Sequence, residues 1–189
     1  MDDAARHLIA DAMAFAATCH RAQRRKDPLG SPYILHPTQV MLLLWDAGVT
    51  DPVVLAAALL HDTVEDTQAR HEDLLERFGA EVAGVVAETS DDKRLPKSER
   101  KRLQIEQAAT KSERARLVML ADKIANVRDM LDTPPPRWSD LRRRQYFGWA
   151  RLVVDQMRGT HAALEAQFDS VYARTDAAPW PLDGSEATE

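Results

Sequence analysis

The sequence predicts an all-α protein, a single helical bundle of about eight to ten helices. Seven glycines and ten prolines make up about 9% of the 189 residues, below the roughly 12% of average usage, so the turns that many short strands would need are scarce. Apolar side chains recur at the three- and four-residue spacing of amphipathic helices along most of the chain. A hydrophobic content of 44% supplies one core of ordinary size for a chain of this length.

The first three helices are predicted from apolar stripes and from residues that start or stop helices. A stripe of apolar side chains predicts the first helix over residues 2–25, which ends at the Asp-Pro-Leu-Gly-Ser-Pro segment 27–32. Prolines suited to the first helical position predict the second helix over residues 37–45 and the third over residues 52–66. The third helix therefore carries an apolar run and a charged segment in succession.

The later helices follow from the same spacing. We expect helices over residues 72–78, 81–88, 97–108, 115–131 and 139–168. Three successive prolines after the fourth of these form a stiff connector that cannot continue the helix. The last residues mix proline, glycine, serine and acids with few packing side chains, so we expect one domain over residues 1–175 and a flexible tail over residues 176–189.

Composition and charge exclude several classes of protein. A net charge of −5 argues against binding to long nucleic acid through bulk charge, so we expect none. The longest apolar run, residues 53–60, is far shorter than the roughly 20 residues that cross a bilayer, so we expect no membrane span. The N-terminus lacks the pattern of a secretory signal, and Cys19 alone forms no intramolecular disulfide. Both observations favour the cytoplasm.

A charged hexad, residues 61–66, follows the apolar run on the predicted third helix. With His61 at zero, helical geometry places Glu65 at about 40°, Asp62 at about 100° and Asp66 at about 140°, so all four side chains share one side of the helix. Three carboxylates on one side of a helix repel one another, and burying their charge without a partner is costly. A cation among the four side chains would remove both costs. The donor types suit Mn, Fe, Mg or Zn. The alternative is a helix cap followed by a solvated surface.

A second acid strengthens the metal interpretation. Asp122 follows another apolar run, Leu-Val-Met-Leu-Ala, and Asn126 lies one turn later. His36 lies among apolar residues just before a helix start, a position where a lone histidine is more often structural than a ligand. The other histidines, His20 among them, lack ligand-like neighbours, and we expect them at the surface or at the edge of the core.

Four segments together resemble a known family. HDTVED, RRKDPLGSPYILHP, SDDKRLPKSERKRLQ and LADKIANVRDM resemble the HD-domain phosphohydrolases and, more narrowly, the hydrolase domain of the RelA/SpoT family in its free-standing form, the small alarmone hydrolases. The resemblance extends from about residue 5 to about residue 170. It implies an HD-domain helical bundle without the synthetase and regulatory domains of the long RelA/SpoT proteins.

The resemblance also implies an activity and assigns roles. It implies Mn²⁺-dependent removal of pyrophosphate from the ribose 3′ position of the guanosine alarmones (p)ppGpp, which leaves GDP or GTP. The metal ligands would be His36, His61, Asp62 and Asp122. The pair Glu65 and Asp66 would supply the general base, a role typically worth about 10²- to 10⁴-fold in rate.

Substrate contacts are the least specific part of the prediction. By position in the family segments and by residue type, the candidates are Arg25, Lys26, Lys97, Asn126, Arg142 and Tyr146. Another HD-family activity is the alternative: a 5′-nucleotidase, a cyclic-nucleotide phosphodiesterase or an NADPH 2′-phosphatase. A binding module without turnover is a third. Guanine against adenine preference and oligomeric state stay open at this point.

Overall fold

A computed structural model describes residues 1–181 of the chain, and its helices account for most of them. In chain order they are α1 Asp3–Cys19, α2 Leu35–Asp46, α3 Pro52–Leu60, α4 Thr63–Asp66, α5 His71–Thr89, α6 Lys97–Gln107, α7 Glu113–Asp132, α8 Asp140–Asp155 and α9 Ala162–Tyr172, with a 3₁₀ turn at Ala108–Thr110. The predicted all-α fold is confirmed.

Helix α3 forms the centre of the bundle. Its residues 54–60 are fully buried, and it packs against α1, α2, α5 and α7. An all-round apolar helix has no solvent-facing side, which is why the sequence carries no polar residue there. Burying one leucine side chain in such a position stabilises the fold by about 1.5–3 kcal/mol. The residues that follow α3 are thereby held at a fixed depth in the protein.

The predicted third helix is divided in the structure. It was expected to continue through residue 66, but α3 ends at Leu60 and the short α4 begins at Thr63. His61 and Asp62 lie between them with backbone angles still close to helical. The Thr63 hydroxyl donates to the Leu60 carbonyl, with an O···O distance of 2.6 Å, and so competes with the helical ladder at this point. The hexad nevertheless stays on one compact turn.

The first helix is shorter than predicted, because α1 ends at Cys19 and not near residue 25. Residues 20–34 form a loop whose two sides are paired. The Arg25 amide donates to the Ser31 carbonyl (2.8 Å) and the Tyr33 amide donates to the Gln23 carbonyl (3.2 Å). These backbone hydrogen bonds satisfy groups that a longer helix would have used, and they bring Gln23 and Tyr33 side by side.

The predicted helix over residues 139–168 is also wrong as a single element. Helix α8 ends at Asp155 and α9 begins at Ala162. Gly159 between them has a φ of 88°, a conformation that glycine adopts at no steric cost. The His161 ring nitrogen Nδ1 accepts from the Leu164 amide at 3.4 Å and caps the N-terminus of α9. The chain therefore reverses where periodicity alone predicted continuity.

Residues 176–181 pack against α8 and are called the C-terminal strap below. The Ala178 amide donates to the Arg144 carbonyl (3.0 Å), and the Arg144 side chain donates to the Asp176 carbonyl (2.7 Å). Trp180 is buried. The predicted division into a domain over residues 1–175 and a flexible tail from residue 176 stays a prediction, although the buried Trp180 lies within that tail. The rest of the predicted tail, residues 182–189, lies outside the described residues.

Within residues 1–181, no helix is both long enough and apolar enough to cross a bilayer.

Candidate metal centre and active site

The four residues predicted as metal ligands meet at one point of the bundle. The His36 Nε2 atom lies 3.1 Å from Asp122 Oδ1 and 3.7 Å from Asp62 Oδ2. The His61 Nε2 atom lies 3.2 Å from Asp62 Oδ2 and 3.7 Å from Asp122 Oδ1. Helix α2 carries His36, the turn after α3 carries His61 and Asp62, and α7 carries Asp122. Three separate segments of the chain thus supply one cluster.

The cluster fits a divalent cation by its donor atoms. The Nδ1 atom of His61 contacts the Ala58 carbonyl at 2.8 Å and must donate its proton there. In the neutral imidazole this leaves Nε2 as the lone-pair atom that faces the carboxylates. That Nε2 is buried and has no hydrogen-bond partner among residues 1–181. Single ligand atoms of His36, His61 and Asp62 lie within 4.8 Å of one another. Imidazole nitrogens with carboxylate oxygens are a donor set that borderline metals accept.

The pKa shifts within the cluster also favour a cation at its centre. Burial opposes the charged form of His61, but Asp62 and Asp122 raise the pKa of this imidazole well above its usual range. Burial also opposes the charged forms of both acids. Nevertheless, His61 lowers the pKa of Asp62, and Lys123 with the two histidines lowers that of Asp122. The cluster therefore stabilises positive charge at its centre, and a divalent cation supplies such charge.

Each acid of the cluster also accepts a hydrogen bond that fixes its orientation. The Tyr33 hydroxyl donates to Asp62 Oδ2 at 2.6 Å. The Asn126 amide donates to Asp122 Oδ1 at 2.6 Å, and the Lys123 ammonium donates to Asp122 Oδ2 at 2.9 Å. Partners of this kind orient metal-binding carboxylates in proteins generally.

The acid pair Glu65 and Asp66 lies beside the cluster and is bridged by a lysine. The Lys93 Nζ atom is 3.1 Å from Glu65 Oε1 and 2.6 Å from Asp66 Oδ1. The Asp91 backbone amide donates to Glu65 Oε2 at 2.9 Å. Burial raises the pKa of Glu65, and these two donors only partly oppose that effect. Glu65 is therefore a stronger base than an ordinary surface glutamate.

The site opens into two adjoining cavities. The larger, of about 620 Å³, contains the metal cluster and the acid pair, and its wall includes the cations Lys93, Arg100 and Lys111. The smaller, of about 300 Å³, is bordered by the 20–34 loop and by Trp138. The residues common to both walls are Lys26, Tyr33, Asp66, Asn126 and Tyr146. A ligand with an anionic end and a flat aromatic end matches this pair of cavities.

The HD domain family matches residues 12–153. This chain belongs to the HD domain family. Its hydrolases are metal-dependent, as the cluster of His36, His61 and Asp62 leads one to expect.

Relatives of this HD-domain chain carry one recurrent name. The chain is 52% identical over 163 residues to guanosine-3′,5′-bis(diphosphate) 3′-pyrophosphohydrolase MESH1 of Drosophila melanogaster, with 86% of this chain and 91% of the relative covered. The MESH1 of Homo sapiens is 53% identical, with 83% and 88% covered. A solved structure described as a metazoan ortholog of SpoT that hydrolyzes ppGpp superposes with a TM-score of 0.87 at 49% identity, covering 90% of this chain and 97% of that one.

The structure places the predicted substrate contacts of the HD domain in two groups. Lys26, Asn126 and Tyr146 line both cavities. Arg25 lines the smaller cavity and pairs with Asp129.

Lys97 and Arg142 form the second group, since neither lines the described cavities. Both face Trp138: the Arg142 guanidinium lies 4.2 Å from its ring centroid, and the Lys97 Nζ atom lies 5.8 Å from it. The structure therefore brings these two residues to a tryptophan that itself borders the smaller cavity.

Several residues of the HD-domain site were not singled out from the sequence. Tyr33, Lys93 and Arg100 line the larger cavity, and Gln23 lines the smaller one. A signal existed for two of them, because Tyr33 precedes His36 by three residues and Lys93 lies within the SDDKR segment. Nothing in the local pattern around Gln23 indicated that it reaches the distant Asp66.

Proposed function

We propose that this HD-domain chain hydrolyses the 3′-pyrophosphate of (p)ppGpp to GDP or GTP and pyrophosphate. The observation that carries the proposal is the meeting of a two-histidine, two-aspartate cluster with the Glu65–Asp66 pair in one cavity. The names of relatives at about half identity over most of the chain support the same substrate. The reaction needs a base for water and cations for pyrophosphate, and both are found on the cavity wall.

We assign the metal to His36, His61, Asp62 and Asp122. Bound there, a divalent cation would supply Lewis-acid chemistry, polarising phosphate oxygens and making water more acidic. The hydrogen bond from His61 Nδ1 to the Ala58 carbonyl orients Nε2 toward the metal position. Hydrogen bonds from Tyr33 and Asn126 orient the carboxylates of Asp62 and Asp122. We propose Mn²⁺ as the ion, since this ligand set accepts it and small alarmone hydrolases resemble this chain.

We assign water orientation and deprotonation to Glu65 and Asp66. The raised pKa of Glu65 makes it a more effective proton acceptor near neutral pH. Lys93 contacts both carboxylates and so restricts their positions relative to each other. A base contributes fully only when its geometry is fixed before the substrate arrives.

We assign the two ends of the substrate to the two cavities. The pyrophosphate carries several negative charges and suits the larger cavity, where Lys93, Arg100 and Lys111 supply cations. The nucleoside suits the smaller cavity, where Tyr146 and Trp138 present aromatic rings 5.9 Å apart. Lys26 borders both cavities and would contact a phosphate between the two ends.

Product analysis tests this proposal directly. Protein stripped with a chelator is incubated with ppGpp alone and with Mn²⁺, Mg²⁺ or Zn²⁺, and products are separated by anion-exchange chromatography. We expect Mn²⁺ to restore equimolar GDP and pyrophosphate, and we expect His61→Ala to remain inactive under every condition. Intact ppGpp together with cleavage of another nucleotide in a parallel panel would contradict the substrate assignment and leave the HD-domain chemistry in place.

A further inference from the structure

His20 is a buried histidine close to the active site that the assignment above does not use. It caps the C-terminus of α1 and is only 2% exposed. The sequence placed it at the surface or at the edge of the core, so its burial is a correction. Burying a polar ring is costly unless hydrogen bonds compensate, which makes its partners informative.

One nitrogen of His20 fixes the orientation of a glutamine amide. Its Nδ1 lies 2.6 Å from the Gln23 Oε1 atom. An amide oxygen only accepts, so Nδ1 carries the proton and donates. With its oxygen held in this way, Gln23 turns its Nε2 toward Asp66 Oδ2, at 3.4 Å. The second ring nitrogen of His20 is buried without a hydrogen-bond partner in the described part of the chain, so its only hydrogen bond found there is the one to Gln23.

The same ring supports a second donor. The rings of His20 and Tyr33 lie 4.9 Å apart between centroids at an angle of 35°, and the Tyr33 amide donates to the Gln23 carbonyl. The Tyr33 hydroxyl donates to Asp62 Oδ2 at 2.6 Å. His20 thus contacts both loop residues that donate hydrogen bonds to the charged turn 61–66.

We propose that His20 is a positioning residue for the acid that activates water. It orients the Gln23 amide, and that amide together with Lys93 fixes the two oxygens of Asp66. The inference rests on the proposed function, because there Asp66 belongs to the base pair. Residues that orient the groups around a metal site typically change activity by about 10- to 100-fold when substituted. We expect the lower end of that range, since Lys93 stays in place.

Paired substitutions separate the hydrogen bond from the bulk of the ring. His20→Phe keeps an aromatic ring against Tyr33 and removes the donor, whereas His20→Asn places an amide N–H near the position of Nδ1 and removes the ring. We expect His20→Phe to lower kcat about tenfold with KM changed less than about twofold. We expect His20→Asn to recover most of that loss. A ring with a purely structural role would give the opposite order.

A double-mutant cycle with Gln23→Leu tests whether His20 acts through Gln23. We expect Gln23→Leu to lower kcat as His20→Phe does, and the double variant to be no slower than Gln23→Leu alone, because both remove one chain of contacts. Additive losses would overturn the proposal. So would a higher KM with unchanged kcat for Gln23→Leu, which would assign Gln23 to substrate binding.

A measurement without turnover keeps the inference separate from the proposed activity. Long-range ¹H–¹⁵N NMR of the imidazoles, with His20 assigned by its disappearance in His20→Asn, reports which ring nitrogen carries the proton. We expect the Nδ1-protonated tautomer in the wild type. An Nε2-protonated ring would overturn the proposal even if His20→Phe fails to fold. Wild-type protein that leaves ppGpp intact but shows the Nδ1 tautomer would contradict the proposed function alone.

Discussion

Lys93→Met is the substitution whose effect on the pH profile follows most directly from the site. The Lys93 ammonium contacts Glu65 at 3.1 Å and Asp66 at 2.6 Å, and its charge lowers the pKa of Glu65 against the effect of burial. Removing it leaves the pKa of Glu65 higher still. Because the base works in its unprotonated form, the acid limb of kcat/KM moves to higher pH.

The size of the shift follows from the exposure of the lysine. The Lys93 side chain is 48% exposed, so solvent screens the pair, and a contact of this kind is worth roughly 0.5–1 kcal/mol. That energy corresponds to about 0.4–0.7 pH unit. Phosphate release measured from pH 5 to 9 at constant ionic strength and saturating metal, with a coupled pyrophosphatase, resolves such a shift.

Arg94→Met is the matched control for this experiment. Arg94 is the next residue, its side chain is 90% exposed, and it pairs with Asp92, so its loss removes the same charge without touching the acid pair. We expect an unchanged acid limb in this variant. An unmoved limb in Lys93→Met, or an equal shift in both variants, would refute the argument that Lys93 tunes the base by direct contact.

Three further predictions concern the base pair, the metal and the strap. Glu65→Gln combined with Asp66→Asn should lower kcat by about 10²- to 10⁴-fold. The metal content, measured by atomic absorption, should stay that of the wild type. Retained turnover would contradict the assignment of the pair as the general base. Asp122→Asn removes a carboxylate from the cluster, so added Mn²⁺ should no longer raise the melting temperature. In the wild-type protein, an ion concentration 100 times Kd should increase the free energy of unfolding by about 2.7 kcal/mol. Gly148→Ala brings a Cβ within 2.1 Å of the Ala178 carbonyl oxygen, so the strap must shift. We expect unfolding in urea to show a loss of about 1–3 kcal/mol and the tryptophan emission, to which Trp180 contributes, to shift to the red. Wild-type stability would contradict the close packing.

The parts of the site that could be predicted are those written in short segments of sequence. His61, Asp62, Glu65 and Asp66 lie within six residues, and an apolar run before them indicates that they start at the depth of the core. On α7, Asp122 likewise follows an apolar run. The four side chains stay close together although the predicted third helix is divided, because His61 and Asp62 keep nearly helical backbone angles.

The contacts that were missed depend on loops and on tertiary packing. Gln23 donates to Asp66 across 43 positions in sequence. It does so because residues 20–34 form a paired loop, whereas periodicity predicted that the first helix would continue to residue 25. Helix propensity is a weak prior that tertiary contacts override. The turn at Gly159 was missed for a similar reason, since a single glycine inside an apolar pattern is compatible with a helix in sequence.

Lys97 and Arg142 are predicted substrate contacts that the structure places against an aromatic ring, and their contact with substrate stays a prediction. A cation in a family segment predicts an anion contact, yet here both cations face the ring of Trp138, whose negative face attracts them. Trp138 itself lines the smaller cavity, so both cations lie next to a residue of the cavity wall. Lys93 lies in the SDDKR segment, but the sequence did not show that it contacts both Glu65 and Asp66. The direction of a long cationic side chain is set by its nearest negative surface, and only the folded chain reveals which surface that is.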